Sequence, residues 1–488
     1  VAGSRDGGLE KAFTQSESEE LLGLPGGAGV TVPQDAAQGP GEAVSESAAP
    51  LPRESELAPP SSLGVGTWGT EAVGDTDEDT CPGDFPRDAC PEEMPNLSDH
   101  SSLMANVLRS TASMYARLRE RRTKLGVGLA ACIKCGVDNP GHPLLQTVGL
   151  VAGDEECYDL YRELFDAVIE SRHGAGSLAN IQSTGHPRDL ALERVSSTNI
   201  DSTGRYALSA RVGTSRSLHG LRLPPCCSRT ERREAERALV RALLALGVSE
   251  DDLRGDYYPL SGSTSFPPKP RGMSLQEEEA LRAQQALFLE PDAPVQLCAG
   301  LGRHWPDARG VFATDSKQVV AWINEEDHLR LVSLQTGGDL REAFGRMVRS
   351  LTGLESFLAQ QGHSFARSDR IGYIASSPAN VGTGLRASVV LRLPLLFRHP
   401  RFPEACRALG LHARSGFVSE EVAGYREPGL CEVSNRQRLG LTEAELVSIV
   451  VEGCAKLVAI EQALERGEEP MASRGPWCGD GLGLGLGP

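Results

Sequence analysis

Between residues 205 and 394 lie five short runs rich in β-branched and aromatic residues. They are RYALSARV (205–212), QVVAWIN (318–324), LRLVSLQ (329–335), RIGYIAS (370–376) and ASVVLRLP (387–394), each of strand length. Helical stretches occupy 229–246, 338–361 and 441–465. Runs and helices do not alternate at βαβ spacing, so the pattern predicts an antiparallel sheet flanked by helices rather than a doubly wound parallel one. The segment GSTSFPPKPRG (262–272) reads as a surface loop.

Upstream the pattern is helical. Leu103, Val107, Met114 and Leu118 recur at mostly helical intervals within 101–122, which ends in a run of arginines suited to a helix C-terminus. Within 155–171, Tyr158, Tyr161, Leu164, Phe165, Val168 and Ile169 define one face. The expected architecture is α+β: a small helical N-terminal domain over 95–200 and a larger domain over 201–470. Residues 471–488, ending GDGLGLGLGP, read as a flexible tail.

The formal net charge of −17 is concentrated at one end: residues 1–94 hold 19 Asp and Glu against 4 Lys and Arg. That segment is rich in Gly, Pro and Ser and has no periodic apolar positions, so it is expected to be a disordered acidic tail. The remaining body is nearly neutral, which argues against nucleic acid as a partner. No run of about 18 apolar residues occurs, and no membrane association is expected. The tail is neither an Arg-rich transit peptide nor a signal peptide, so the expected compartment is cytoplasmic. The missing initiator Met keeps a lost leader, and hence a mitochondrial address, as the alternative. Twelve cysteines without secretory signals imply reduced thiols. Cys132 and Cys135 have CxxC spacing but no second pair of ligands, so they read as two partly buried thiols on one turn and not as a metal site.

Six motifs stand in order along the body: GVDNPGHP followed by TVG (136–149), AGDEE (152–156), LPPCCSRTERR (223–233), WPDARG (305–310), WINEEDHLR (322–330) and NVGTGLR (380–386). Together they resemble the phosphagen kinases, and in particular the creatine kinases, over about residues 95–470. The resemblance implies the family's fold, a homodimer or higher oligomer, and transfer of the γ-phosphoryl of Mg·ATP to creatine or a similar guanidino compound. Such chemistry needs positioning and charge neutralisation more than covalent steps. By resemblance, Arg211, Arg330, Arg386 and Arg414 contact the nucleotide phosphates, with Glu432 nearby in place of an Asp. Glu326 is implied as the guanidinium-binding base, supported by Glu325 and Asp327. His142 is implied to close over the site, Leu145 and Val148 to face the guanidino substrate, and Asn380 to lie beside it. The glycines of Gly382-Thr383-Gly384 would let backbone N–H groups approach an anion beside Arg386.

The resemblance breaks at several positions of the same site. Ser377-Pro378-Ala379 stands where the family reads Cys-Pro-Ser, and a serine hydroxyl does not supply the thiolate charge. Gly213 occupies the place of a further phosphate-contacting arginine, and Ala313 that of a histidine near the adenine. Arg414-Ser415-Gly416-Phe417-Val418 replaces the usual glycine-rich loop. The resemblance is therefore compatible with a slowed phosphotransferase, with a catalytically impaired binding protein whose acidic tail engages an unknown partner, or with a kinase for another guanidino compound. The C-terminus 466–488 carries only Arg466 and Arg474 and lacks a lysine-bearing end for anionic lipid.

Overall fold

The computed structural model describes residues 81–143, 147–179, 181, 185–415 and 429–468. The acidic segment 1–80, Leu145, residues 416–418 and the tail 471–488 lie outside the described residues. The sequence pattern puts the end of the acidic segment at residue 94, but residues 81–94 lie against the body. Phe85 is buried, its N–H donates to Asp138 Oδ1 at 2.9 Å, and its carbonyl accepts from Lys134 Nζ at 2.5 Å. The Tyr115 hydroxyl donates to the Pro91 carbonyl at 2.8 Å. One aromatic anchor and a buried Lys134–Asp138 pair at 2.7 Å thus fix a stretch whose composition suggests disorder.

The N-terminal domain contains α1 (Leu103–Ser110), α2 (Ala112–Leu118), α3 (Leu129–Val137), α4 (Cys157–Leu160) and α5 (Arg162–His173). The single helix expected over 101–122 is two, broken at Thr111 (φ −138°, ψ 66°), with the arginine run beyond the second. The one expected over 155–171 is also two, broken at Tyr161, whose buried hydroxyl donates toward the carbonyls of Arg121 (2.7 Å) and Val127 (3.0 Å). A buried polar group that has found partners outweighs one turn of helical continuity.

The larger domain is built on β1 (Ala207–Arg216), β2 (Gly255–Pro259), β3 (Gly310–Thr314), β4 (Val319–Ile323), β5 (Leu329–Thr336), β6 (Arg367–Ser368), β7 (Gly372–Tyr373), β8 (Leu385–Arg392), β9 (Leu411–Ser415) and β10 (Leu430–Asn435). Eight of these form one antiparallel sheet in the order β2-β3-β4-β5-β1-β8-β10-β9, and β6 and β7 pair separately. The helices are α6 (Arg229–Ser249), α7 (Leu275–Ala283), α8 (Pro294–Cys298), α9 (Leu340–Gln360), α10 (Phe402–Ala408) and α11 (Glu443–Glu465). Three of them start with a reciprocal capping box, Ser228/Glu231, Ser274/Glu277 and Thr442/Glu445, as their S/T-x-x-E sequences require. The run 370–376 is a strand only at Gly372–Tyr373; the rest is loop. Among the described residues no helix is long and apolar enough to cross a membrane.

Alternation along the strands divides the sheet into two chemically opposite faces. Leu385, Ala387, Val389 and Leu391 of β8, Val212 of β1 and Val433 of β10 are fully buried in the large core with residues of α6, α9 and α11. Arg386, Ser388, Arg211, Gly213, Arg330 and Glu432 point the other way, as the pairings Gly213↔Arg386, Arg211↔Ser388, Ser215↔Arg330 and Glu432↔Val390 require. A second core belongs to the helical domain and takes in Ile371, Ile374, Ala379, Val381 and Leu439 from the larger domain. The 371–381 loop therefore sits on the seam between the two domains.

Within the large domain, Glu236 on α6 is buried and its Oε1 accepts from the Tyr257 hydroxyl at 2.7 Å. Burial pushes this carboxyl up to about 7. A carboxyl raised above its unfolded value holds its proton in the fold, so its contribution is present at low pH and is lost as pH rises toward and through about 7. Glu236→Gln should remove this loss and raise unfolding stability at pH 8 by about 1–3 kcal/mol, with little effect at pH 5. Denaturant titrations at the two pH values check it; equal differences at both would show that Glu236 is ionised without penalty.

Candidate active site

The polar face of the central strands opens into a cleft lined by Arg211, Gly213, Arg330, Asn380, Arg386 and Arg438, among others. Arg386 Nη2 pairs with Glu432 Oε2 at 2.6 Å across β8 and β10. Burial pulls the Arg386 guanidinium down to about 10 in spite of Glu432, and Arg414, Arg211 and Arg330 act in the same direction as burial. Arg414 stands on β9 opposite Glu432 and lines an adjoining cleft that shares Arg438. Several cations thus converge around Glu432, which is the electrostatics of an anion site.

The carboxylates of the WINEEDHLR turn lie between β4 and β5. Glu326 is 3% exposed; its Oε2 accepts from Arg330 Nη2 at 3.2 Å and Asn380 Nδ2 at 3.3 Å, while its buried Oε1 makes no hydrogen bond. Burial, with Asp327 beside it, holds the Glu326 carboxyl well above the usual carboxylate range. Asp327 Oδ1 accepts from the Ser376 N–H at 2.6 Å, and burial raises this group too. Glu325 Oε2 lies 3.8 Å from Arg330 Nη1. A buried carboxyl oxygen without a partner, beside a cation-rich cleft, suits Glu326 to receive a cationic ligand, whose charge favours the ionised form that can take its proton.

Asn380 joins Glu326 to Arg438, an arginine that lies in none of the sequence motifs. Its Oδ1 accepts from Arg438 Nη1, which also donates to the Ala379 carbonyl at 3.2 Å. Arg438 is 9% exposed, and burial, with Arg386 nearby, pulls its guanidinium well below the usual range. It follows β10 in an ordinary-looking VSNRQRLG segment, and only the chain path carries it to the cleft. Arg216 also lies in none of the motifs. It is fully buried, donates to the Thr383 carbonyl at 2.9 Å and lies 3.4 Å from the Tyr373 ring centroid, so it holds the Gly382–Gly384 turn from beneath.

Ser377 is fully buried and its Oγ accepts from the Ala379 N–H at 3.3 Å, capping the single turn Pro378–Asn380. At Gly213 an added Cβ would meet Val332 Cγ2 at 3.5 Å and the Leu331 carbonyl at 3.6 Å, ordinary contacts, so the fold has room there for a side chain. Ala313 lies on β3 within an apolar cluster that contains Val320 and Trp322. Val148 is 5% exposed in the helical core and does not line the arginine cleft, and His142 is half-buried at the end of the described segment 81–143. Cys132 and Cys135 are fully buried, not partly as the sequence reading has them, and belong to different apolar clusters.

The profile of the ATP:guanido phosphotransferase C-terminal catalytic domain matches residues 236–464, and that of the family's N-terminal domain matches residues 98–170. Creatine kinase B-type from Gallus gallus is 43% identical over 377 residues, covering 77% of this chain and 93% of its own. Among solved structures, lombricine kinase superposes with a TM-score of 0.68 at 36% identity, over 77% of this chain and 96% of its own. The duplicated taurocyamine kinase of Schistosoma mansoni with bound transition state analog components gives 0.65 at 31% identity, over 75% of this chain and 47% of its own.

The turn that presents Arg386 depends on a glycine. Gly382 has φ +102°, and a Cβ there would collide with the Arg438 carbonyl. Gly382→Ala should therefore lower stability by roughly 2–4 kcal/mol, since it combines left-handed strain with a backbone clash. Thermal unfolding checks this, and an unchanged midpoint would mean that the turn is not held by Arg438.

Proposed function

The chain belongs to the ATP:guanido phosphotransferase family, and from that premise we propose that it transfers the γ-phosphoryl group of Mg·ATP reversibly to creatine or a similar small guanidino compound, at a reduced rate. The observation that carries the reading is the pairing of the arginine-lined cleft with the buried, raised carboxyl of Glu326. Arg211, Arg330, Arg386 and Arg414 hold the phosphates of the nucleotide, and Arg438 adds positive charge at the cleft's edge. Glu326 accepts the proton of the attacking guanidino nitrogen as the N–P bond forms and the bond from the γ-phosphorus to the leaving oxygen of ADP breaks. Asn380 keeps Glu326 aimed, so its role is positioning. His142 and Leu145 stay assigned to the guanidino side of the site.

The two losses act on the rate. Without a side chain at Gly213 the clamp lacks one charged hydrogen bond, an interaction of about 1.5–3 kcal/mol. In the transition state that slows transfer roughly tenfold to a hundredfold. Ser377 supplies no negative charge beside the guanidinium. A dimeric binding protein without turnover is the second reading, favoured by these two positions alone. The free thiols among the described cysteines favour a reducing compartment, cytoplasmic or mitochondrial.

A coupled assay of ATP formation from phosphocreatine and Mg·ADP should give slow turnover that Glu326→Gln abolishes. Gly213→Arg should raise the rate roughly tenfold, as expected for one restored charged contact, and Ser377→Cys should raise it further. No turnover in any of the four proteins, with phosphocreatine or with the phosphagens of other small guanidino compounds, would replace the enzyme with the binding protein. Turnover that survives Glu326→Gln would remove Glu326 as the base.

A further inference from the structure

Outside the cleft, two thiols touch. Cys132 Sγ on α3 and Cys157 Sγ on α4 are 3.8 Å apart, and both side chains are fully buried. Two sulfurs in van der Waals contact need to approach by roughly 1.8 Å more to reach the covalent distance of about 2.05 Å. Cys135, three residues further along α3, belongs to a separate cluster with Cys298.

The pair is wired to the active-site loop. Val151 N donates to the Cys132 carbonyl at 3.0 Å and the next residue, Ala152, donates through its N–H to the Ser376 carbonyl at 2.7 Å. The residue after Cys157 is Tyr158, whose hydroxyl donates to the Ala375 carbonyl at 2.7 Å. Ser376 N in turn holds Asp327 Oδ1 at 2.6 Å. Any movement that brings Cys157 toward Cys132 therefore pulls on the two anchors of the 375–380 loop.

We propose that Cys132 and Cys157 form a reversible disulfide on exposure to a peroxide, and that the oxidised protein loosens the 375–380 loop. The sulfur–sulfur bond forms as the O–O bond of hydrogen peroxide breaks. The two thiols give up two electrons, and their two protons leave with the two oxygens as two molecules of water. A dithiol reverses the step by exchange. Burial pushes the Cys157 thiol well up, so the reaction proceeds through local opening of α4, a single turn of helix at the domain seam. Slowed phosphoryl transfer in the oxidised protein rests on the function proposed above; the cross-link and the loosened loop do not.

The test treats the full chain with hydrogen peroxide, blocks free thiols with iodoacetamide and digests without reductant. Trypsin and a glutamyl endopeptidase together cut after Lys134 and Glu156, which separates Cys132, Cys135 and Cys157. Mass spectrometry should find the Cys132 and Cys157 peptides joined, released by dithiothreitol, and never joined in Cys157→Ser or, should that variant fold poorly, in Cys132→Ala. Amide hydrogen exchange of residues 375–380 should rise severalfold on oxidation and return on reduction. Recovery of both peptides as alkylated monomers after other thiols have been oxidised would overturn the proposal. A cross-link with unchanged exchange in the loop would overturn its second half.

Discussion

Several guanidinium groups gathered on one face of a sheet, with Glu432 and Glu326 as the carboxylates paired to them, set the condition that the rest of the molecule serves. Bringing Arg211, Arg330, Arg386 and Arg438 together out of full contact with water costs several kcal/mol per unpaired ion, a cost that an anion in the cleft would offset. The opposite face shows what supports them. Leu385, Ala387, Val389 and Leu391 alternate with the site residues of β8 and are fully buried against the long helices. The apolar half of each strand holds the charged half rigid, which is the condition for electrostatic stabilisation without reorganisation.

The helical domain contributes position, and Arg172 of α5 adds a charge at the adjoining cleft. Its core takes in Ile371, Ile374, Ala379 and Val381, and its backbone and Tyr158 hydroxyl fix Ala375 and Ser376. From there the Ser376 N–H holds Asp327, and Asn380 links Arg438 to Glu326. Ser377 caps the turn that carries Asn380, so its hydroxyl helps to fix the side chain that donates to Glu326.

Much of this was legible in the sequence, for stated physical reasons. The long helices announce themselves by periodicity and capping boxes, and the strands β1, β4, β5 and β8 by β-branched runs. The five-residue strands β2, β3 and β9 and the six-residue β10 are too short, or too mixed, for alternation to mark them. Residues 370–376 have strand composition but belong to a seam loop, because tertiary contacts with the helical domain outweigh propensity. The carboxylates of NEEDH and the arginine of GTGLR sit in strings unusual enough to point at the site. Arg438 and Arg216 sit in ordinary strings, and only register and burial reveal them. The anchoring of 81–94 escaped because it depends on a single aromatic side chain and a pair of charges 49 and more residues away.

The proposed function requires the arginine face and Glu326 to recognise a phosphoryl group in transfer. The most direct test is calorimetric titration of Mg·ADP, first alone and then with creatine and nitrate, a planar anion that mimics the phosphoryl group in flight. Measurable binding of Mg·ADP, tightened at least about tenfold by creatine and nitrate together, is expected of a site built for the transition state. Absence of binding, or an affinity that creatine and nitrate leave unchanged, would contradict the proposed function.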